Sequence, residues 1–315
     1  MRQTSWLEEL EEKDERKSKP PSRSARQDIV NVASVPQRSP FRYPGGKTWF
    51  VPKIRAWLNS LPSRPTEFVE PFVGGGIISL TVAFENLAGL VTMVELDPQV
   101  AAVWKTMLGE DAEWLANQIV SFDMTPETLD AALVRKALST RELAFQTILR
   151  NRTYRGGILA PGAGRIKYGE KGKGILSRWY PLTISKRIRA VAQPSVRGHI
   201  RFIEGDGLEV VQQKATSPTT VFFIDPPYTA SSKKAGQRLY THSELDHERL
   251  FYIASTFVGD FLMTYDNDEE VHKLAIRYGF DTELVAMKST HHAEMTELLI
   301  GRNLDWMRAE FTDGA

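Results

Sequence analysis

The spacing of apolar positions changes several times along the chain. Thr66-Glu67-Phe68-Val69-Glu70 reads as a short strand that runs into Pro71-Phe72-Val73-Gly74-Gly75-Gly76. The stretch IISLTVAFENLA that follows has the spacing of a helix. Leu90 to Glu95 reads as a second strand, with a helix from about Pro98. Residues 111–150 are spaced largely as helix, whereas 151–180 are rich in Gly, Arg and Tyr and have no clear period. Arg201 to Ile203, Val221 to Ile224 and Phe261 to Thr264 read as short apolar strands. Leu284 to Met287 and Glu297 to Ile300 read as a closing hairpin. Strands alternating with helices predict an α/β sheet covered on both faces.

Residues 1–38 mix acids and bases around Lys-Pro-Pro-Ser-Arg-Ser, which predicts a flexible tail with a short helix over Ser5 to Lys17. No apolar run approaches the ~20 residues needed to span a bilayer, and the charged N-terminus lacks the apolar stretch of a secretory signal. A soluble, cytoplasmic protein is the expectation. The chain has no cysteine. That excludes disulfides, thiolate zinc sites and cysteine nucleophiles, and with them carbon-5 cytosine methylation, which needs a thiolate.

Charge is uneven beneath a formal net of +1. From Arg141 to Arg201 there are fourteen Lys and Arg against two acids, Glu142 and Glu170. Arg150, Arg152, Arg155, Arg165, Lys167, Lys171, Lys173 and Arg178 fall there, interleaved with Tyr154, Tyr168, Trp179 and Tyr180. Lysines neutralise phosphates, arginines also pair bidentately with guanine, and aromatics wedge into base stacks. These residues are the expected nucleic-acid contacts. The glycines among them predict a mobile hairpin.

The turn at Glu70, Pro71, Phe72, Gly74 and Gly76 follows a strand and opens a helix, so a ligand can approach its backbone closely. About twenty residues on, Glu95 and Asp97 end the second strand, where an acid would hold the ribose of a nucleotide-like cofactor. No Gly-Lys-Ser/Thr follows, so this is no phosphate loop. Glu70 would repel a pyrophosphate but accept from a cationic amino acid, which favours S-adenosylmethionine over NAD. Upstream, Tyr43-Pro44-Gly45-Gly46-Lys47 places an ammonium near close-approaching backbone. It would neutralise either a cofactor carboxylate or a catalytic acid. Asp206, after Phe202-Ile203-Glu204-Gly205, either meets the cofactor's adenine or caps the next helix.

The sharpest signal is an apolar strand running directly into Asp225-Pro226-Pro227-Tyr228. Prolines remove backbone donors and bias the preceding residue to extended geometry. The result is a stiff loop with exposed carbonyls at the carboxyl edge of a sheet. The amino group of a nucleobase is a poor nucleophile, because its lone pair is delocalised into the ring. An Asp carboxylate and the next carbonyl can accept both of its hydrogens and so favour a pyramidal nitrogen. Direct, in-line methyl transfer then rests on positioning and electrostatics and requires no metal. The base must leave its stack, and Tyr228 would offer it an aromatic face.

With these elements in order, the chain resembles the DNA adenine-specific methyltransferases of the alpha class, the group that includes the bacterial Dam enzymes. The likeness runs from about Ser39 to Arg302. It rests on Tyr43 to Lys47, Glu70 to Gly76, Asp225 to Tyr228, Asp246 to Leu250, Thr264 to Asp268 and Thr296 to Ile300. The resemblance implies a Rossmann-like S-adenosylmethionine-dependent methyltransferase sheet with an inserted helical or hairpin target-recognition domain. The expected division is a tail at 1–38, a catalytic domain at 39–104 and 201–305, the insertion at 105–200, and a C-terminal tail at 306–315. The cofactor would be lined by Tyr43, Gly45, Gly46, Lys47, Glu70, Pro71, Phe72, Gly74, Gly76, Glu95, Asp206 and Asp225, and the target base by Asp225, Pro226, Pro227 and Tyr228. Family members carry Asp where Glu95 stands, so either Glu95 or Asp97 takes the ribose. The implied substrate is adenine N6 in double-stranded DNA, with any restriction or defence partner on a separate chain. Cytosine's amino group, RNA and a catalytically silent DNA-binding subunit are the alternatives.

Overall fold

The computed structural model describes residues 34–227, 245–288 and 294–309. Seven strands form one sheet: β1 (Glu67–Glu70), β2 (Leu90–Glu95), β3 (Ile200–Glu204), β4 (Thr220–Ile224), β5 (Phe261–Asp266), β6 (Asp281–Lys288) and β7 (Glu294–Gly301). Their order is β3-β2-β1-β4-β5-β7-β6. β7 is antiparallel to both β5 and β6, and the remaining pairs are parallel. This is the expected Rossmann-like sheet, closed by the expected hairpin. The order reverses between β1 and β4, so the crevice at which such sheets bind ligands opens beyond the carboxyl ends of these two strands.

The apolar runs are continuous rather than alternating because both faces of the sheet are covered. Phe68, Val221 and Phe223 pack to one side, and Val69, Phe222 and Ile224 to the other. The second side is closed by α9 (Gly207–Lys214), α10 (His247–Ser255) and α11 (Glu269–Arg277). Phe222 stacks on Phe257 at 4.0 Å between ring centroids. Each such fully buried aromatic contributes about 1.5–3 kcal/mol of transfer free energy.

The first side carries α1 (Val51–Ser60) and α2 (Ile77–Phe84). The chain between β2 and β3 is helical: α3 (Pro98–Leu108), α4 (Ala112–Ser121), α5 (Pro126–Val134), α6 (Thr140–Thr153), α7 (Pro181–Val191) and α8 (Pro194–Arg197). Its apolar residues, including Leu115, Ile148, Leu149 and Ile184, share one core with Phe68 and Met93 of the sheet. Between α6 and α7, one isolated antiparallel bridge, Tyr154 to Arg165, and three short 3-10 turns stand in place of a strand hairpin. Glycines at positive φ break this stretch too often for a ladder to extend.

Residues at the inner ends of both expected tail segments are packed against the body. Val35 is buried and Arg38 pairs with Glu85 after α2, so residues 34–38 belong to the folded body. The expected helix at Ser5 to Lys17 lies outside the described residues. At the other end, α12 (Asp305–Ala309) packs on α1 through the fully buried Met307. Arg308 anchors it to Asp281 at 2.8 Å. Among the described residues, no helix is long and apolar enough to cross a membrane.

Candidate active site

Beyond the carboxyl ends of β1, β2 and β4 lies a cavity of about 960 Å³. Tyr43 to Lys47, Glu70 to Gly76, Glu95 to Asp97, Asp206 to Leu208 and Asp225 to Pro227 all line it. Segments widely separated in sequence thus meet at one sheet edge, as expected. Tyr228 lies outside the described residues.

The glycine turn is held from three directions. Its Gly74 N–H donates to Glu95 Oε2 at 3.0 Å, and its Gly74 carbonyl accepts from the Trp104 indole at 3.0 Å. Ser39 Oγ donates to the Gly75 carbonyl at 2.5 Å. Gly76 has φ +62°, and a Cβ there would lie 2.7 Å from the Trp104 ring. Only glycine meets both demands. Gly207, at the start of α9, approaches the Pro71 carbonyl so closely that a Cβ would sit 2.3 Å from it.

The acids of this edge are deeply set. Glu70 turns back on α2 and accepts from the Ser79 N–H at 2.9 Å and from the Ser79 hydroxyl. Burial pushes its carboxyl up to about 8, against these hydrogen bonds; the nearby Asp225 and Glu95 add to the rise. Glu95 accepts from both Gly74 N–H and Asp97 N–H, and burial raises it to about 7. Asp97 caps α3 through Gln99 N–H at 2.8 Å, and Asp206 caps α9 through Leu208 N–H at 2.8 Å. Both capping residues also line the cavity, so capping and ligand contact do not exclude each other. Buried acids pushed toward neutrality fit a ligand that carries positive charge and hydroxyl donors, since either would favour the ionised form.

Lys47 occupies the centre. A 3-10 turn over Thr48–Phe50 follows it, and Phe50 stacks on Phe223 of β4 at 5.8 Å. That packing sets Lys47 beside the end of β4. Its Nζ lies 3.0 Å from Asp225 Oδ1 and 3.2 Å from Glu297 Oε1. Lys47 is only 3% exposed. Burial acts to lower its pKa, but the two carboxylates outweigh burial and the ammonium is held above its ordinary value. The side chain thus meets Asp225, one of the two partners open to it in the sequence. Asp225 Oδ1 also accepts from Thr264 Oγ1 at 2.8 Å, from the adjacent β5.

Sequence reasoning missed Glu297 as a member of this group. β7 runs antiparallel, so its first half reaches the edge at which the parallel strands end. The signal was an acid at the head of Glu297-Leu298-Leu299-Ile300, a run buried throughout. Burial raises the Glu297 carboxyl and Lys47 opposes that rise.

The basic segment divides into two sets. Arg155, Lys167, Lys171 and Lys173 are exposed. Arg165 pairs with Asp130, Arg178 with Glu170, and Arg150 donates to the Gln99 side chain at 3.1 Å. Tyr154 is half-buried at the bridge. Arg152 corrects the expectation of a phosphate-facing surface residue. It is 4% exposed, faces the cavity and donates to the Pro40 carbonyl. It follows Ile148 by four positions on α6, and so falls on the helix's buried face.

Residues 43–118 match the family profile of the D12 class N6 adenine-specific DNA methyltransferases. That span holds the Gly-Gly-Lys motif, the glycine turn and both candidate ribose acids. No curated protein matches this chain. Among solved structures, the chain is similar to a candidate RNA methyltransferase from Pyrococcus horikoshii, at 12% identity and a TM-score of 0.34, covering 83% of this chain and 84% of the other. It is also similar to a precorrin-6y C5,15-methyltransferase from Geobacter metallireducens, at 9% identity and a TM-score of 0.33, covering 79% and 85%. The strand order is that of a Rossmann-like sheet, and the D12 match falls on its first two strands and the motifs around them.

Proposed function

We propose that this protein transfers a methyl group from S-adenosylmethionine to the exocyclic amino group, N6, of an adenine turned out of double-stranded DNA. The observation that carries the reading is the position of Asp225-Pro226-Pro227 at the end of β4, facing the glycine turn that ends β1 across one cavity. The D12 match supports adenine in DNA as the substrate.

The residues divide the work by position. Gly74 to Gly76 receive the amino-acid portion of the cofactor, Glu95 or Asp97 the ribose hydroxyls, and Asp206 the adenine edge. S-adenosylmethionine supplies an electrophilic methyl on a sulfonium. Asp225 accepts a hydrogen bond from the target amino group and the Pro226 carbonyl accepts the other. This turns the nitrogen lone pair toward the incoming methyl. Thr264 and Lys47 fix the Asp225 carboxylate from behind, so its acceptor geometry exists before the base arrives. Exposed Arg155, Lys167, Lys171 and Lys173 neutralise phosphates outside the cavity.

The test is transfer of a labelled methyl group to duplex DNA, followed by nucleoside analysis. Asp225→Ala is expected to abolish transfer while leaving S-adenosylhomocysteine binding measurable. Full activity in that variant would sink the mechanism. Label recovered in cytosine, or only in RNA, would change the acceptor.

A further inference from the structure

Three arginines converge on one short stretch of backbone at the cavity wall. Arg152, from the last turn of α6, donates to the Pro40 carbonyl. Arg187, from α7, donates to the Ser39 carbonyl at 2.9 Å. Arg42 lies on the same stretch, and its backbone is clamped by Asn151, whose amide accepts from Arg42 N–H at 2.9 Å and donates to its carbonyl at 2.7 Å. All three residues line the cavity.

This cluster is electrostatically unbalanced. None of the three arginines forms an ion pair among the described residues. The nearby acid, Glu170, is already paired with Arg178. Arg152 is 4% exposed, and its Nε–H is buried with no hydrogen-bond partner. Burial, together with the charges of Arg187 and Arg42, depresses its guanidinium to about 9. A backbone clamp alone does not require this. Asn151 already holds residue 42 without charge, and neutral donors would serve Ser39 and Pro40 at far lower desolvation cost. Three converging guanidiniums become favourable when an anion sits among them.

We propose that Arg42, Arg152 and Arg187 form a subsite for one anionic oxygen group within the catalytic cavity. Two sources have this chemistry: the carboxylate at the amino-acid end of the cofactor, and a backbone phosphate beside the target nucleotide. The proposal rests on the methyl-transfer reading for the identity of the anion, but not for the existence of the subsite. It also gives the insertion a second role, since α6 and α7 then build part of the cavity as well as the outer basic surface.

Arg42→Gln and Arg187→Gln leave the Arg152 contact to Pro40 in place and are the variants of choice. The first measurement is the rise in melting temperature produced by inorganic phosphate over chloride at equal ionic strength. The wild type is expected to show it and both variants to lose it. An equal rise in all three proteins, or none in the wild type, would overturn the subsite. Calorimetry then compares S-adenosylhomocysteine with 5′-methylthioadenosine, which lacks the carboxylate. If the carboxylate is the ligand, each variant loses ~10–100-fold in affinity for the first compound and nothing for the second. If a phosphate is the ligand, binding of S-adenosylhomocysteine is unchanged. Affinity for a short duplex then falls ~10-fold, and the slope of log affinity against log salt shrinks by about one. Should neither S-adenosylhomocysteine nor duplex bind the wild type, the methyl-transfer reading fails, while the phosphate melting experiment still decides the subsite.

Discussion

Replacing Lys47 by Met removes one ammonium from between two carboxylates. At 3.0 Å from Asp225 and 3.2 Å from Glu297, each attraction is worth ~5 kcal/mol at an effective dielectric near 20. Desolvation of the three groups offsets much of this, so the net worth of the cluster is small while the cost of breaking it is large. Lys47→Met strands two acids at one buried point and is expected to destabilise the fold by about 3–5 kcal/mol. A domain has only about 5–15 kcal/mol in total.

The loss should depend on pH. Burial already raises Glu297, and removal of its cation raises it further. The folded variant then holds a proton that the unfolded chain has lost above about 4.5, so the deficit grows as pH climbs from the carboxylate range through neutrality. Lys47→Met combined with Glu297→Leu replaces the outer pair by apolar side chains of similar bulk and should recover most of the loss. Urea denaturation of wild type, both single variants and the double variant at pH 5.5 and 8 measures this directly. Strict additivity of the two substitutions, or a Lys47→Met cost below about 1 kcal/mol at pH 8, would refute the shared-cation account.

Four further outcomes follow. Affinity for S-adenosylhomocysteine should rise from pH 6 to 8, because donors on the ligand favour an ionised Glu95, whose carboxyl titrates near 7; a flat calorimetric profile would remove Glu95 from the ribose site. In the free protein Glu70, raised to about 8, binds a proton more tightly folded than unfolded, so stability falls as pH rises from about 4.5 to 8, and Glu70→Gln should flatten the melting curve's dependence over that window. Gly76→Ala forces a methyl group toward Trp104 at positive φ and should cost more than about 1 kcal/mol with weaker cofactor binding, whereas joint replacement of Lys167, Lys171 and Lys173 by Ala should leave the melting temperature alone and flatten the salt dependence of duplex binding by up to about three units of slope.

The elements that were legible in the sequence are those encoded locally. A glycine turn between a strand and a helix, an acid at the end of β2 and a proline pair after β4 each carry their geometry within a few residues, and a parallel sheet brings their ends to one edge. The Lys47–Glu297 contact joins positions 250 residues apart, and nothing in the local pattern of either names the other. The arginines show a different limit. Counting charge over residues 141–201 identifies a basic segment but not which side of a helix each charge occupies. Arg152 lies in register with Ala144 and Ile148 on α6, whereas Arg155, at the same helical spacing, falls beyond the end of α6 at Thr153; that end, rather than the charge total, tells the two apart.

The antiparallel entry of β7 also bears on the order in which the Lys47 cluster is assembled. β1 to β5 precede β7 in the chain, and most of the cavity lining comes from residues up to Asp246, with Glu297 the one lining residue from β7. The acid that shares Lys47 with Asp225 arrives only with Glu297, inserted between β5 and β6 after its own hairpin partner has been made. A nascent chain therefore carries its motifs before it carries both acids of the Lys47 cluster. Placement of β7 is itself the step that balances the charge around Lys47.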